Sequence, residues 1–321
     1  MLQTNVTSML VPADVRIAVL IPCYNEEITI GQVIDDFRIY LPACDVHVYD
    51  NASTDQTATV AQHHGAIVHR ELRRGKGNVV RRMFADVDAD IFILVDGDNT
   101  YEAGRAPEMI RTLITQQLDM VNGARQSNIE EAYRPGHRFG NWLLSTMVEL
   151  IFGRNLKDML SGFKILSRRF VKSFPAMSTG FEIETEIAVH ALELRMPCAE
   201  VLTEYKDRPA GSQSKLRTFH DGWRILMLIL RLVREERPFQ FFGFIGLGLC
   251  FSALIAGLPL LVTYVETGLV PRIPTAILCV GLTILGVLSF FAGLILDMIT
   301  RTRRELKRLV YLATPSKSVH V

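Results

Sequence analysis

The sequence lacks the short motifs by which several common protein classes are recognised. Its five cysteines include no Cys-x-x-Cys pair, which argues against a disulfide framework and a zinc site and fits a reducing compartment. Gly-x-Gly-x-x-Gly is absent, which counts against a dinucleotide-dependent oxidoreductase. Gly-x-x-x-x-Gly-Lys is absent too, which excludes a P-loop nucleotide hydrolase.

An excess of charge of one sign is also missing. The formal net charge is only +1 over 321 residues, so the chain as a whole does not fit a nucleic-acid-binding protein. Residues 1–14 contain no basic segment followed by an apolar core, so we expect no signal peptide. Apolar residues are concentrated after Phe239, which predicts a polar domain followed by an apolar one.

The most informative stretch is Ile91–Asp98, in which five apolar residues end abruptly in Asp96-Gly97-Asp98. A continuous apolar run of this length predicts a strand that is buried on both faces. Ligands of open α/β sheets bind at the carboxyl ends of the strands, and Mg²⁺ and Mn²⁺ prefer oxygen ligands. The two carboxylates therefore suggest a metal–diphosphate site, although Asp and Gly are also ordinary turn residues.

Strands and helices alternate over the first two thirds of the chain. We predict strands at 15–21, 45–49, 66–69, 91–95, 119–125 and 198–205, and helices at 29–40, 79–87, 141–152 and 180–194, with a further helix that is capped by 51–55 and ends near 64. This alternation predicts an α/β fold with a doubly wound parallel sheet. The strand ends would then bring Glu26 and Asp50 near Asp96 and Asp98, an arrangement that suits a nucleotide because strand-end carboxylates bind ribose hydroxyls.

Two long apolar segments follow this domain. Phe241–Val265 and Pro274–Leu296 contain no charged residue, and each is longer than the ~20 residues that cross a hydrocarbon core. Arginines flank both outer ends, so the positive-inside rule predicts a helical hairpin with the N-terminal domain in the cytoplasm. The predicted domains are a tail (1–14), a catalytic domain (15–216), an amphipathic interfacial helix (217–238), a transmembrane hairpin (239–300) and a basic cytoplasmic tail (301–321).

Six short motifs occur in one order over residues 15–220: Ile21–Glu27, Asp50–Asp55, Gly75–Asn78, Asp96–Asp98, Ser161–Lys164 and Arg208–Lys215. Together they resemble the family 2 inverting glycosyltransferases, and within them the polyprenyl-phosphate glycosyltransferases of the dolichyl-phosphate mannose synthase type. The resemblance implies a GT-A (nucleotide-diphospho-sugar transferase, Rossmann-like) fold and a nucleotide-sugar donor linked to UDP or GDP. It also implies Mg²⁺ or Mn²⁺ on Asp96 and Asp98, a polyprenyl phosphate acceptor, and a membrane-bound enzyme that forms a homo-oligomer.

The same resemblance assigns individual residues. The donor-binding positions are Pro22, Tyr24, Glu26, Val48, Asp50, Lys76, Asp96, Gly97, Asp98 and Ser214. The positions that act on the donor diphosphate and the acceptor phosphate during catalysis are Asp98, Arg125, Arg138, Arg208 and Lys215. Two positions depart from the family pattern, since Thr100 stands where relatives often have Gln and Asn51 where many have Asp.

Three functions remain open at this stage. A polyprenyl phosphate acceptor is already ionised and needs no strong base, so positioning and charge would suffice for transfer with inversion. A sugar hydroxyl acceptor on a glycan or glycolipid would instead need a carboxylate base, for which Glu182, Glu184 and Asp158 are the candidates. The third possibility is a membrane scaffold without catalytic activity.

Overall fold

The structure is a computed structural model that describes residues 15–126, 158–180, 182–206 and 230–315, together with Thr146, Glu149, Leu156 and Met227. Most of the predicted helix at 141–152 lies outside the described residues, as does most of the predicted interfacial helix. The described residues form two compact units, one of which comprises residues 1–223 and 307–321 and the other residues 224–306.

The first unit is built on a seven-stranded sheet. Its strands are β1 (Ile17–Cys23), β2 (Asp45–Asp50), β3 (Ile67–Arg70), β4 (Ile91–Leu94), β5 (Met120–Gln126), β6 (Lys164–Ser167) and β7 (Cys198–Glu204). Their spatial order is β3-β2-β1-β4-β6-β5-β7. All four residues of β4 are buried, which confirms the prediction of a strand covered on both faces.

The sheet is mixed, whereas the sequence predicted a wholly parallel one. β3, β2, β1 and β4 are parallel, but β6 runs antiparallel to both β4 and β5. Lys164, the first residue of β6, pairs with Leu94, the last residue of β4. The reversal therefore places the residues before β6, Ser161 and Gly162, at the strand edge where Asp96 lies.

The described helices are α1 (Ile30–Tyr40), α2 (Thr57–His63), α3 (Lys76–Asp86), α4 (Ala106–Thr115), α5 (Arg168–Ser173), α6 (Ile183–Glu193), α7 (Pro238–Thr267) and α8 (Ile273–Ala313). Three of them correct the sequence prediction. α3 begins at Lys76 rather than at Val79, because Gly75, at φ +124°, adopts a conformation that only glycine takes readily and so turns the loop into the helix. α4 and α5 were not predicted, although the buried residues of α4 have helical spacing.

The core of the first unit lies between the sheet and its helices. In α1, Ile30, Val33, Ile34 and Phe37 are buried at the spacing of one helix face. Phe37 meets Phe163 edge-on, with ring centroids 6.3 Å apart. Because a fully buried apolar side chain contributes about 1.5–3 kcal/mol, this packing holds the residues just before β6 in place.

The C-terminal end of α8 belongs to the first unit. Tyr311 donates a hydrogen bond to Asp119 at 2.8 Å, and Lys307 pairs with Glu193 at 2.6 Å. Asp119 is fully buried and also accepts hydrogen bonds from Ser167 and Arg169. The residues that were expected to form a basic tail are thus helical, and they are anchored on the first unit.

The second unit consists of two long antiparallel helices, α7 and the first part of α8. They approach each other closely at glycines, since a Cβ on Gly246 would lie 2.7 Å from the carbonyl oxygen of Gly286. Glu236, just before α7, is buried and accepts hydrogen bonds from Arg303 at 2.6 Å and Arg304 at 2.7 Å. The charge of the buried Glu236 carboxylate is therefore neutralised within the unit.

Both helices are long and apolar enough to cross a membrane. Their most apolar windows have mean hydropathies of 2.3 and 2.4, and only 11% of each window is buried, unlike the core helix of a soluble protein. The cytoplasmic placement of the catalytic domain remains a prediction from the flanking arginines.

Replacing Tyr311 by Phe removes one donor to Asp119 and keeps the shape of the ring. We expect the free energy of unfolding to fall by about 1–2 kcal/mol because a buried carboxylate loses a hydrogen bond. The melting temperature of the detergent-solubilised protein should fall by roughly 2–6 °C. Tyr40→Phe is the matched control, because Tyr40 is 41% exposed; an equal loss in both variants would contradict a stabilising contact at Asp119.

Candidate active site

Acidic residues converge at the carboxyl ends of the central strands, as the sequence predicts. Asp96 and Asp98 follow the end of β4, and Asp50 ends β2, which lies on the other side of β1. The side chain of Asp96 is 27% exposed, whereas Asp98 and Asp50 are buried. At the carboxyl ends of these strands, the Asp96 carboxylate is therefore partly exposed, and those of Asp98 and Asp50 are buried.

Thr100, one of the two departures from the family pattern, orients Asp98. Its hydroxyl donates a hydrogen bond to Oδ1 of Asp98 at 2.6 Å, and both residues are buried. Asn99 lies between them in the left-handed region, with φ 57°, a conformation that Asn tolerates better than most residues. Thr100 thus fixes the orientation of the Asp98 carboxylate by a hydrogen bond, and the tight turn at Asn99 brings the two side chains together.

The Ser161–Lys164 motif packs directly against Asp96. A Cβ on Gly162 would lie 2.1 Å from Oδ2 of Asp96, so only glycine leaves room for the carboxylate here. The backbone N–H of Gly162 donates to the Tyr101 hydroxyl at 2.7 Å. The glycine of this motif therefore has a steric role, which its position in the sequence did not reveal.

Lys76 lies between two carboxylates. Its ammonium group is 2.5 Å from Oδ1 of Asp96 and 2.5 Å from Oε1 of Glu184, and its side chain is only 8% exposed. Glu184 is in the first turn of α6. Sequence reasoning placed Glu184 among possible bases and missed its pairing with Lys76, because residues 108 positions apart meet only in the folded chain.

Glycines on either side of Lys76 allow this approach. A Cβ on Gly75 would lie 2.1 Å from the carbonyl oxygen of Thr179, and one on Gly77 would lie 2.2 Å from that of Ser178. The segment that leads into α6 therefore packs directly on the start of α3. This contact explains why Lys76 is enclosed rather than solvated.

Burial and the neighbouring charges shift the pKa values of this cluster in opposite directions. Burial lowers the pKa of Lys76, but the adjacent Asp96 and Glu184 carboxylates outweigh it, so the pKa lies above its ordinary value. Burial raises the pKa of Glu184 despite the opposing effect of Lys76. Lys76 is therefore a fixed positive charge at neutral pH.

The Pro22–Glu27 turn is tied to the turn after β2. Asn25 accepts a hydrogen bond from the backbone N–H of Thr54 at 2.8 Å, and its own N–H donates to Ser53 at 3.0 Å. The guanidinium of Arg74 lies over the ring of Tyr24, 5.0 Å from its centroid. An aromatic ring and a basic group thus border the site where a nucleotide base is predicted.

Asn51, the second departure, supports the basic loop. Its side-chain amide donates to the carbonyl oxygens of Glu71 and Arg73 at 3.0 and 2.8 Å, and its Oδ1 accepts from the N–H of Gly75 at 2.7 Å. A carboxylate could not donate the first two bonds. Asn51 therefore stabilises the loop that leads to Lys76 through hydrogen bonds that Asp could not donate, which accounts for Asn at this position.

Other predicted donor-binding residues have differing environments. Val48 is fully buried within the core cluster, so its side chain packs on the sheet rather than lining the site. The carbonyl oxygen of Gly97 accepts a hydrogen bond from the buried hydroxyl of Thr29 at 2.7 Å. Pro22, near the end of β1, and Glu26, in the turn after it, are both partly buried. The predicted donor-binding residues therefore differ in their burial and in the contacts that they make.

Arg125 forms a two-pronged ion pair with Asp158. Its Nε and Nη2 donate to the two carboxylate oxygens at 2.7 and 2.8 Å, and its guanidinium lies 5.5 Å from the centroid of the Tyr205 ring. Burial raises the pKa of Asp158, but the hydrogen bonds and charge of Arg125 outweigh this and leave it below its ordinary value. Sequence reasoning missed this pairing.

Lys164 is a further charged residue that the sequence did not single out. It is completely buried, and its ammonium group donates to Oδ1 of Asn122 at 2.6 Å. Burial lowers the pKa of Lys164 to about 8. Its place at the end of the Ser161–Lys164 motif was the available signal. The predicted Arg138, Arg208, Ser214 and Lys215 lie outside the described residues.

Asp96 and Asp98 fit a divalent cation as part of a shared coordination shell. Gly162 leaves space at the Asp96 carboxylate that a Cβ would fill, and oxygen donors suit Mg²⁺ and Mn²⁺. Within the described ranges no group of three or more His, Cys, Asp or Glu residues could hold a metal. Two carboxylates with phosphate and water ligands are nevertheless the usual arrangement for Mg²⁺.

Comparison with known proteins gives consistent matches. A family model described as "Glycosyl transferase family 2" matches residues 18–174. The chain is 33% identical over 307 residues to glycosyltransferase AglJ of Haloferax volcanii, covering 93% of this chain and 98% of that protein. It is 27% identical over 223 residues to the dolichyl-phosphate hexose transferase of the same organism, covering 69% and 95%.

Solved structures of the GT-A type have the same fold. The glucosyl-3-phosphoglycerate synthase of Mycobacterium tuberculosis, crystallised with Mn²⁺, UDP-glucose and phosphoglyceric acid, superposes with a TM-score of 0.54 at 22% identity, covering 68% of this chain and 80% of that one. At this identity the likeness concerns the fold, and it confirms the GT-A prediction.

Gly77→Ala tests the close packing around Lys76. Alanine in a helix is normally favoured over glycine by about 1 kcal/mol, but here its Cβ would meet the Ser178 carbonyl at 2.2 Å. We expect a loss of about 1–3 kcal/mol in unfolding free energy instead. Gly248→Ala is the control, because that glycine has open space around it. Thermal unfolding that showed Gly77→Ala to be stabilised would contradict the packing.

Proposed function

The chain belongs to glycosyl transferase family 2, and we propose that it transfers a sugar from a nucleotide-sugar donor to a polyprenyl phosphate at a membrane surface. The observation that carries this proposal is the pairing of a carboxylate site at the β4 edge with two long apolar helices in one chain. The first feature suits a nucleoside diphosphate, and the second brings the enzyme to a lipid acceptor.

The donor side of the proposal rests on the residues around Asp96. Asp96 and Asp98 would hold Mg²⁺ or Mn²⁺, which when bound would stabilise the negative charge of the leaving nucleoside diphosphate. Tyr24 and Glu26 lie on the turn after β1 and Asp50 lies at the end of β2, where a nucleoside is predicted to bind. The Mn²⁺ and UDP-glucose in the crystals of the mycobacterial synthase support this assignment.

The acceptor side rests on the apolar helices. A lipid-linked acceptor lies in the membrane, and two candidate membrane spans in the chain support a location of the enzyme beside such a substrate. A relative that matches most of this chain is named a dolichyl-phosphate hexose transferase, which supports a polyprenyl phosphate. By the arginines that flank the hairpin, the catalytic unit would lie on the cytoplasmic side.

A phosphate acceptor lets the chain catalyse transfer by positioning. The acceptor oxygen is already ionised, so no residue needs to remove a proton before it attacks the anomeric carbon in line with the leaving diphosphate, which inverts the configuration. Arg125, Arg138 and Arg208 are proposed to orient the two phosphate groups, together with Ser214 and Lys215. We further propose that the active form is a homo-oligomer.

The competing acceptor is a sugar hydroxyl, which would require a carboxylate base. Two of its three candidates are engaged, since both oxygens of Asp158 accept from Arg125 and Glu184 pairs with Lys76. Glu182 is exposed and remains as the base of this alternative. The engaged carboxylates favour the phosphate acceptor.

The donor and acceptor can be identified in a transfer assay. Detergent-solubilised protein is incubated with radiolabelled UDP- and GDP-sugars, undecaprenyl or dolichyl phosphate, and Mn²⁺ or EDTA. We expect a chloroform-soluble, mild-acid-labile product with one donor, and its loss with EDTA or in Asp96→Asn. Transfer to a glycan or glycolipid hydroxyl without any lipid-phosphate product would overturn the proposal.

Glu182→Gln distinguishes the two acceptor classes. A general base contributes about 10²–10⁴-fold to the rate, so its loss would be obvious in kcat. With an ionised phosphate acceptor we expect kcat to stay within about threefold of the wild type, because no proton is removed. Asp36→Asn, a change to a partly exposed residue in α1 paired with Gln32, controls for surface charge. A hundredfold loss specific to Glu182→Gln would favour the hydroxyl acceptor.

A further inference from the structure

The ammonium group of Lys76 lies where it competes with a metal ion. It is 2.5 Å from Oδ1 of Asp96, a proposed metal ligand, and the contact is enclosed, with 8% of the Lys76 side chain exposed. A carboxylate oxygen that accepts a hydrogen bond from an ammonium is already neutralised. A divalent cation that approached Asp96 would meet a like charge in a poorly screened position.

The second partner of Lys76 resolves this conflict. Glu184 is also 2.5 Å away, and its side chain is 11% exposed. Lys76 can therefore release Asp96 and keep one buried carboxylate without leaving its place. The close contacts of Gly75 and Gly77 with Thr179 and Ser178 hold the start of α3 against the segment before α6.

We propose that Lys76 is the internal counter-cation of Asp96 and that Glu184 is the positioning residue that holds Lys76 when Asp96 binds a divalent cation. This inference rests on the proposed function, because it takes Asp96 as a metal ligand. Asp96 then exchanges one cationic partner for another, and both Asp96 and Glu184 have a cation beside them before and after metal binding. Affinity for the metal alone is set low by Lys76 and is partly restored by Glu184.

The two partners predict opposite effects on the binding of Mn²⁺ alone. In Lys76→Met the competing charge is gone, so we expect the Kd for Mn²⁺ to fall at least tenfold, as for removal of a like charge about 4 Å from a divalent ion even at the dielectric constant of water. In Glu184→Gln the ammonium has only Asp96 as a charged partner, so the Kd should rise by a similar factor. A lysine whose charge did not act on the metal site would give neither change.

The measurement is an electron paramagnetic resonance titration of free Mn²⁺ with the full detergent-solubilised chain and no nucleotide. Lys76→Met leaves Glu184 buried without a cation and could disturb folding. The comparison of Glu184→Gln with Lys76→Met/Glu184→Gln avoids this, and the double variant should bind Mn²⁺ at least tenfold more tightly than the single one. Circular dichroism and the melting temperature establish that each variant is folded.

Asp96→Asn in the Lys76→Met/Glu184→Gln background locates the effect. If the gain in affinity disappears, it arises at Asp96 and supports the exchange; if it persists, the gain lies elsewhere and the proposal is overturned. No gain in the double variant also overturns it. The acceptor is tested separately by the transfer assay, so a wild-type chain that made no lipid product would refute the proposed function without affecting this result.

Discussion

The arrangement of the active site depends on the buried ammonium group of Lys76. It joins the start of α3, the end of β4 and the first turn of α6 through its contacts with Asp96 and Glu184. Removing either carboxylate would leave a buried charge with one partner fewer, which costs far more than the loss of a surface ion pair. Because the residues on both sides of Lys76 are glycines, the segment before α6 can come close enough for this contact.

The strand edge is completed by a change of direction within the sheet. β6 is antiparallel to β4, so the loop before it, rather than after it, reaches Asp96 and brings in Gly162. A wholly parallel sheet would place this loop at the opposite edge, away from the carboxylates. The glycosyltransferase site therefore depends on the mixed topology as well as on the strand ends that all open α/β sheets share.

Local patterns made most of the fold predictable. The alternation of apolar strands with helices, the position of Asp96 and Asp98 after β4, and the two apolar helices are short-range features that the sequence states directly. β6 was predicted neither as a strand nor in its direction, because four residues are too few to show a strand pattern or which way they pair. The partners of Arg125 and Lys76 were missed for a related reason, since Asp158 and Glu184 approach them only through tertiary packing.

The buried charges around the site are better explained by function than by stability. A buried ion pair such as Arg125–Asp158 often contributes less than an apolar pair of similar volume, and Lys164 is buried with an amide rather than a carboxylate as its nearest partner. Both cations lie beside the strand edge that would bind a diphosphate. An anionic substrate is stabilised most by positive groups that are already in place and need no reorganisation. The packing at this edge therefore stabilises the first unit less than apolar packing would, and the apolar core between α1 and the sheet supplies stability elsewhere.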